Sequence, residues 1–431
     1  MKQYDLYKDS GIEWIGKIPS HWEVKKIKYS FHIYAGATPK TEKKEYWDGD
    51  IEWITPADYK TIDKFVSKGQ RTITEVGYNS CNTQLVPEGS LIFSKRAPIG
   101  TVAISANPLC TNQGCLSCVP KDTNTLFNYY CASIATDYFD LLGSGATFKE
   151  ISAASFANVK FPCPPFSEQK AIASFLDIQT ARIDSIIASR EKKIKLLEEL
   201  RASIITEAVT KGIRKDVEMK DSGIEWIGQI PKHWEVMKVS HIFRIIGSGT
   251  TPKTTVNEYY SENGTYWLQT GELKDGLIKE TSKRVTSKAI KELGLTIYPK
   301  GSVVVAMYGA TIGKVGILDI ETATNQACCV LANSILMKPL FAFYTIRAAK
   351  ESLVSLSYGG GQPNISQEKI RCHKLPVPPL AEQDRIIAFI KEKITVLESN
   401  TDKARREIEL LREYRASLIT EVVTGKRKVT E

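Results

Sequence analysis

The chain has 431 residues, of which 42% are hydrophobic and 25% are charged, a composition that excludes a wholly disordered chain and allows two or three domains. Its 58 Lys and Arg against 49 Asp and Glu give a net charge of +9, which favours a polyanionic partner without requiring one. No apolar run approaches the ~20 residues that cross a bilayer, and the start MKQYDLYKDS is unlike a secretory signal, so we expect a cytoplasmic protein.

An internal repeat organises the whole chain. KDSGIEWIGKIPSHWEV at 8–24 returns as KDSGIEWIGQIPKHWEV at 220–236, with 15 of 17 positions identical. Shorter segments recur in the same order: GATPKT (36–41) as GTTPKT (249–254), TNQ (111–113) as TNQ (324–326), PPFSEQ (164–169) as PPLAEQ (378–383) and RASIITEAVT (201–210) as RASLITEVVT (415–424). Two related half-chains therefore follow one another.

Each half divides into two parts. Residues 1–166 and 213–380 contain Gly, Pro, aromatic residues and short strand-like runs, which predict mixed α/β domains. Residues 167–212 and 381–431 follow Pro pairs and begin with long stretches that lack Pro, which predicts two long helices. Their apolar residues recur at intervals of 3, 4 or 7, as in a coiled coil. The predicted fold class is α+β, with the two domains separated by antiparallel helices in a pseudo-two-fold arrangement.

These motifs carry a family resemblance over essentially the whole chain. The duplicated GIEWIG-x-IP-x-HWEV opening, G-x-TPKT, TNQ, PP-x-x-EQ and RAS-x-ITE-x-VT resemble the specificity subunit of type I restriction-modification systems. The resemblance implies that residues 1–166 and 213–380 are target recognition domains, each reading one half of a split, asymmetric DNA site. It also implies that the helices at 167–212 and 381–431 fix the spacing between the two halves.

The same resemblance implies the partners and cofactors. Double-stranded DNA, two methyltransferase subunits and two ATP-dependent motor-nuclease subunits would bind this chain, with no role for a membrane. S-adenosylmethionine, ATP and Mg²⁺ would belong to those subunits, so that this chain holds no cofactor, no metal and no catalytic residues.

Comparison of the two halves sorts candidate DNA-contacting residues, because shared residues should position the DNA and divergent ones should specify its sequence. The shared G-x-TPKT segment suits phosphate contacts, although a simple Gly-Pro turn explains it as well. Its candidate residues are Thr38, Lys40, Thr41, Thr251, Lys253 and Thr254. The shared Asn112-Gln113 and Asn325-Gln326 pairs are better explained as buried hydrogen-bonding supports, and Trp14, Trp22, Trp226 and Trp234 as packing anchors near the helix ends.

Two segments diverge between the halves and are candidates for base contacts. SKRAPIG at 94–100 stands where the second half has AMYGATIG at 306–313, and GATFKEIS at 145–152 stands where it has GGGQPNIS at 359–366. Basic side chains suit guanine edges, amides suit adenine, and apolar or aromatic groups suit contact or stacking. The candidates are Lys95, Arg96, Thr147, Lys149, Met307, Tyr308, Gln362 and Asn364. Surface variation and a Gly-rich turn remain open as explanations.

Several motifs typical of catalytic or metal-binding sites match this sequence only in part. Cys110, Cys115 and Cys118 match an iron-sulfur spacing that the second half does not repeat. Gly309–Lys314 falls short of a phosphate-binding loop, and Cys163-Pro-Pro-Phe166 has the wrong first residue for an adenine methyltransferase. The acid-x-Lys pairs Asp58-Tyr-Lys60 and Glu272-Leu-Lys274 leave a metal-dependent nuclease as the alternative enzyme. A coiled-coil scaffold that binds only proteins is the other alternative.

Overall fold

The computed structural model describes residues 3–145, 149–358 and 363–429 of the chain. They form two compact units: unit 1 contains the described residues of 1–190 and 406–431, and unit 2 contains those of 191–405. Each unit is therefore built from one predicted α/β domain together with parts of both long helices.

Unit 1 begins with a series of short strands and helices. Its strands are β1 Tyr7–Asp9, β2 Lys17–Pro19, β3 Glu23–Lys26, β4 Phe31–Ala35, β5 Trp47–Ile54, β6 Phe65–Val66, β7 Arg71–Ile73, β8 Leu91–Ser94, β9 Val102–Ser105, β10 Cys110–Thr111, β11 Cys115–Pro120 and β12 Lys160–Cys163. Its short helices are α1 Ile27–Ser30, α2 Glu75–Asn79, α3 Thr125–Ile134, α4 Thr136–Leu142 and α5 Ala153–Ala157. The long helix α6, Phe166–Lys211, then leads from unit 1 into unit 2.

Unit 2 repeats this order of elements. Its strands are β13 Met219–Asp221, β14 Gln229–Pro231, β15 Glu235–Lys238, β16 Ile245–Ser248, β17 Tyr260–Leu268, β18 Gly276–Ile278, β19 Lys283–Val285, β20 Val303–Ala306, β21 Val315–Leu318, β22 Thr322–Thr324, β23 Cys328–Ala332 and β24 Lys374–Val377. Its short helices are α7 Val239–Ile242, α8 Ser287–Leu293, α9 Pro339–Ala348, α10 Lys350–Ser355 and α11 Gln367–Cys372. The long helix α12, Leu380–Val423, begins in unit 2 and ends in unit 1. Single 3-10 turns lie at Lys44–Tyr46, Thr61–Asp63, Asn257–Tyr259, Thr270–Glu272 and Gly309–Thr311.

The sheets have the same topology in both units. A five-stranded sheet has the order β4-β11-β8-β9-β6 in unit 1 and β16-β23-β20-β21-β18 in unit 2. A three-stranded sheet has the order β10-β5-β7 in unit 1 and, read in the same direction, β22-β17-β19 in unit 2. The central strands β8 and β20 are buried along their whole length, which explains why all their residues except Ser94 are apolar. The predicted α+β fold with two tandem mixed domains is confirmed.

The long helices are antiparallel where each unit contains both of them. In unit 1, Asp184 of α6 pairs with Arg415 of α12 over 2.9 Å, while Arg190 pairs with Glu407 over 2.5 Å. In unit 2, Arg201 pairs with Glu398 over 3.0 Å. The apolar residues that recur along the two helices, such as Ile187 and Ile386, are buried or half-buried. Thr401 is the polar residue in the α12 series, and its hydroxyl donates to the carbonyl of Leu397 over 2.9 Å. α12 ends at Val423, and Gly425 follows with a φ of 73° that suits a helix end.

A buried tryptophan joins each α/β domain to the first turn of a long helix. Trp22 is fully buried, and its Nε1 donates to Oε2 of Glu168 in α6 over 3.1 Å. Trp234 does the same with Glu382 in α12 over 3.1 Å. The preceding histidines, His21 and His233, lie 3.0 Å and 2.8 Å from the same two carboxylates. These tryptophans are packing anchors, as predicted, while Trp14 and Trp226 are only half-buried.

Candidate nucleic-acid interface

The G-x-TPKT loop of unit 1 is tied to the domain through its backbone. The Nε1 of Trp53 donates to the carbonyl of Ala37 over 3.0 Å, and the Nε1 of Trp47 donates to the carbonyl of Lys40 over 3.2 Å. A Cβ on Gly36 would stand 2.1 Å from the carbonyl oxygen of Asn112, so only glycine allows this approach. Because its carbonyls are held from inside, the loop leaves Lys40 and Thr41 exposed to solvent.

Unit 2 builds the same loop with one change of aromatic residue. Trp267 donates to the carbonyl of Thr250 over 3.2 Å, and the hydroxyl of Tyr260 donates to the carbonyl of Pro252 over 2.7 Å. Thr251, Lys253 and Thr254 are exposed. The shared candidates therefore occupy equivalent exposed positions in both units, except that Thr38 is half-buried.

The Asn-Gln pairs divide into a support and an exposed residue. Asn112 Oδ1 accepts from the backbone N–H of Gly114 over 2.9 Å, and Asn325 Oδ1 accepts from that of Ala327 over 3.2 Å. The next residue in each pair, Gln113 or Gln326, is exposed, so the prediction of two buried supports is wrong for the glutamines.

Each exposed glutamine contacts the neighbouring G-x-TPKT loop. The hydroxyl of Thr38 donates to Oε1 of Gln113, and the hydroxyl of Thr251 donates to Oε1 of Gln326. The glutamine amide groups therefore lie beside the candidate phosphate-contacting loop, and their recurrence in the repeat was the signal that could have placed them there.

The first divergent segment of unit 1 lies directly beside this glutamine. The backbone N–H of Lys95 donates to the carbonyl of Gly114 over 2.9 Å, and the carbonyl of Lys95 accepts from Ile151 over 3.0 Å. In unit 2, Met307 makes the matching bonds to Ala327 over 2.8 Å and Ile365 over 2.9 Å. The two divergent segments therefore meet in each unit, next to the shared loop.

In unit 1 the meeting point is an ion-pair cluster around Glu150. Glu150 lies 2.7 Å from the Nζ of Lys95 and 2.8 Å from the Nε of Arg96. The hydrogen bond from Lys95, followed by that from Arg96, outweighs desolvation and lowers the pKa of the Glu150 carboxyl. Comparison of the two halves missed Glu150, although it immediately follows the candidate Lys149 in the divergent segment.

The equivalent positions in unit 2 are Met307, Tyr308 and Asn364, and none of these three side chains is charged. Tyr308 is 39% exposed, and it forms a β-bridge with Asn364 as Arg96 does with Glu150. Met307 is only 3% exposed and packs in the core of unit 2. The predicted base contact by Met307 therefore does not fit the structure, because a side chain that follows a buried strand inward cannot reach a groove.

The remaining candidates of the second divergent segment are placed only in part. Lys149 is paired with Asp140 over 2.5 Å at the surface. Thr147 and Gln362 lie outside the described residues.

The residues considered for catalysis or metal binding have structural partners. Asp58 accepts from the backbone N–H groups of Thr55 over 2.7 Å and Gln70 over 3.0 Å, and Glu272 accepts from those of Gln269 and Ser282 over 2.9 Å and 2.6 Å. These carboxylates of the acid-x-Lys pairs therefore close turns.

The iron-sulfur spacing also corresponds to packed thiols. Cys110, Cys115 and Cys118 are buried, and desolvation raises the pKa of the first two thiols to about 12. Across the described ranges, no group of His, Cys, Asp and Glu is arranged to hold a metal ion.

Comparison with known proteins identifies the family. The family model of the type I restriction modification DNA specificity domain matches residues 19–196 and again 231–410. The chain belongs to this family. The chain is also similar to the specificity subunit of the type I restriction enzyme MjaIX from Methanocaldococcus jannaschii, which is 28% identical over 97% of this chain and 96% of its own length. The EcoKI specificity subunit of Escherichia coli is 20% identical over 95% of this chain and 90% of its own.

Solved structures show the same fold. A chain from a study of complex assembly and conformational transition of the type I R-M system aligns with a TM-score of 0.75 at 13% identity, covering 94% of this chain and 98% of its own. The HsdS subunit from Thermoanaerobacter tengcongensis aligns with a TM-score of 0.54 at 14% identity, covering 95% and 98%. The family match, and not these distant structures, makes the chain a DNA specificity subunit of a type I restriction-modification system, in agreement with the resemblance. No helix in the described parts of the specificity subunit is long and apolar enough to cross a membrane.

Proposed function

We propose that this specificity subunit reads a two-part, asymmetric DNA sequence with a fixed gap, one part with each unit. The observation that carries the proposal is that both units have the same backbone arrangement but present different side chains on it. Both units hold the G-x-TPKT loop, the exposed glutamine and the two divergent segments in the same hydrogen-bonded order. Equivalent scaffolds with different side chains suit the reading of two different half-sites.

Within each unit, the shared and divergent residues have separate roles. Lys40 and Thr41, like Lys253 and Thr254, are exposed donors that suit phosphate oxygens, which fixes the position of the DNA without reading it. Arg96 in unit 1 and Tyr308 in unit 2 occupy equivalent positions, each in a β-bridge to the second divergent segment, and differ in chemistry. Guanidinium hydrogen bonds and aromatic contact favour different base edges, so each unit selects its own half-site.

Partner subunits would bind the exposed faces of the long helices. Leu196 and Leu200 of α6 are 54% and 47% exposed, and Leu410 and Tyr414 of α12 are 48% and 51% exposed. Each pair is spaced i, i+4 and so lies on one helix face, and the pairs are 214 positions apart, as 410 − 196 = 214 and 414 − 200 = 214. The repetition of this apolar pair suits two copies of one partner, the methyltransferase subunit.

The chemistry would belong to those partners. Two methyltransferase subunits would supply adenine methylation with S-adenosylmethionine, and two motor-nuclease subunits would supply restriction with ATP and Mg²⁺. The role of this chain is to bind the DNA sequence, hold the two half-sites at a fixed separation and join the partners. Two linked readers give one joint site whose affinity depends on the gap between its halves.

Methylation mapping tests the proposed recognition. The chain is co-expressed with its methyltransferase subunit, and genomic DNA is analysed by single-molecule sequencing. We expect one split motif with adenine methylation and a fixed gap. Replacing residues 1–166 with the equivalent domain of another specificity subunit should change only one half. An uninterrupted motif, or methylation that does not depend on this chain, would refute the proposal.

Partner docking has a separate test with an internal control. The variant L196K/L200K places two positive charges on the apolar pair of α6. It should remove one methyltransferase subunit from the complex, as measured by native mass spectrometry. The control is Ile178→Lys, because Ile178 is 53% exposed but the repeat places Glu392 at its counterpart, as 392 − 178 = 214. A complex of unchanged stoichiometry with L196K/L200K would contradict docking at this face.

A further inference from the structure

Glu150 in unit 1 and Asn364 in unit 2 occupy one position on one backbone arrangement. Glu150 exchanges backbone hydrogen bonds with Ser144 over 3.0 Å and 2.9 Å, and Asn364 exchanges them with Tyr358 over 3.1 Å in both directions. On the other side, Glu150 forms a β-bridge with Arg96. Asn364 forms the equivalent β-bridge with Tyr308. The backbone is thus fixed from two sides in both units, so the side chain at this position can differ while the backbone stays the same.

In unit 1 this side chain determines where the basic groups point. Glu150 Oε2 accepts from Nε of Arg96 over 2.8 Å, and Oε1 lies 2.7 Å from the Nζ of Lys95. A bond at Nε leaves open the terminal edge of the guanidinium, which its two Nη groups form, and within the described residues neither Nη makes a hydrogen bond. The Arg96 side chain is 47% exposed, whereas that of Lys95 is 15% exposed.

These observations give the two basic residues different roles. Recognition of guanine O6 and N7 by arginine uses two N–H groups in a fixed fork, which the terminal nitrogens of Arg96 can supply. Lys95 is too enclosed to contact a base, and its ammonium group instead holds the Glu150 carboxylate in place through their ion pair. The carboxylate also offsets one of the two positive charges, which reduces attraction to phosphate of any sequence.

We propose that Glu150 is a positioning residue for sequence recognition, which holds Arg96 for a guanine in the half-site read by unit 1. The inference rests on the proposed reading function. Arg96, held by Glu150, contacts the guanine, and Lys95 supports the Glu150 carboxylate. Unit 2 lacks this device, since the same position there is the neutral Asn364 beside Tyr308.

Binding by the assembled methyltransferase complex tests the proposal. The wild-type motif is determined first, and affinities are then measured for the cognate duplex, for duplexes with each guanine of one half-site replaced, and for unrelated DNA. With Glu150→Gln, we expect discrimination at one guanine to fall tenfold or more. Affinity for unrelated DNA should rise several-fold and depend more steeply on salt, because one negative charge is lost.

The matched control is Asp140→Asn, which removes a carboxylate from the same unit but contacts Lys149. This variant should raise affinity for unrelated DNA to a similar extent and leave discrimination unchanged. In the Arg96→Ala background, discrimination at that guanine should already be lost, and adding Glu150→Gln should change it no further.

Three outcomes would overturn the positioning role. They are unchanged discrimination in Glu150→Gln, an additional loss in the double variant, or a fall in affinity for cognate and unrelated DNA alike, which indicates a purely structural role. The absence of a split motif for the wild-type complex would instead mean that the proposed function itself fails.

Discussion

Nε1 of Trp22 donates to Oε2 of Glu168 over 3.1 Å, which ties the opening motif of the chain to the first turn of α6. The same carboxylate lies 3.0 Å from Nε2 of His21 and accepts from the hydroxyl of Tyr4. A single buried carboxylate therefore satisfies donors from three side chains, and unit 2 repeats the tryptophan and histidine contacts at Glu382.

Removal of this acceptor should destabilise unit 1. Glu168→Ala leaves the buried indole N–H of Trp22 without a partner, which costs about 1–3 kcal/mol. Glu168→Gln retains an acceptor oxygen and should cost less. Chemical denaturation measures the difference, with the exposed Glu199→Ala on the same helix as control. Equal stability of Glu168→Ala and Glu199→Ala would show that the contact adds nothing.

The close approach of the G-x-TPKT loop to its neighbour predicts a sharp contrast between two glycines of unit 2. A Cβ on Gly249 would stand 1.6 Å from the carbonyl oxygen of Thr324, whereas one on Gly271 meets nothing within 4 Å. Gly249→Ala must displace backbone, so we expect a loss of about 2 kcal/mol or more in stability, together with weaker DNA binding. Gly271→Ala should be close to wild type in both. Thermal unfolding and DNA titration of the two variants make the comparison, and similar values for both would contradict it.

Burial of His373 makes the stability of unit 2 depend on pH. Desolvation lowers the pKa of this imidazole from its ordinary value of 6.5 to about 4. The fold therefore favours the neutral form: stability is fully present above pH 6.5 and is lost as the pH falls from 6.5 toward 4, by about 3 kcal/mol.

The matching position in unit 1 supplies the control for this pH dependence. The carbonyl of His373 accepts from Val239 over 2.8 Å, as that of Val159 accepts from Ile27 over 2.9 Å. His373→Val should therefore flatten the dependence. Hydrogen-exchange protection of β15 between pH 7 and pH 5 measures it, with β3 as the internal reference. Equal decreases of protection in β15 of the wild type and the variant would rule out His373 as the source.

The exposed lysines of the shared loops should control salt dependence and not base preference. If Lys40 and Lys253 each contact one phosphate, Lys40→Ala and Lys253→Ala should each reduce the slope of log affinity against log salt by about 1. The methylated motif should stay the same. Titration of DNA at several salt concentrations gives the slope, and the exposed helix residue Lys192 is the control. A changed motif would assign these lysines to base reading instead.

The sequence by itself determined the repeat, the two long helices and the family. Duplication is visible wherever two copies keep the same residues. A helix of 46 residues can be predicted from its apolar spacing and from the absence of Pro. The Thr-Pro-Lys-Thr loop was found in the same way, because both units need the same backbone there. These signals are local, since each depends on neighbours within a few turns or strands.

The tertiary structure alone decided which side chains face solvent and which meet. Met307 follows β20 into the core, whereas Tyr308 at the next position is 39% exposed, and spacing cannot distinguish the two at the end of a buried strand. Glu150 became part of the site only because its segment pairs with that of Arg96, 54 residues earlier in the chain. Gln113 changed from a buried support to an exposed partner of Thr38 for the same reason: contacts between distant segments depend on sheet register and strand order, which local periodicity does not encode.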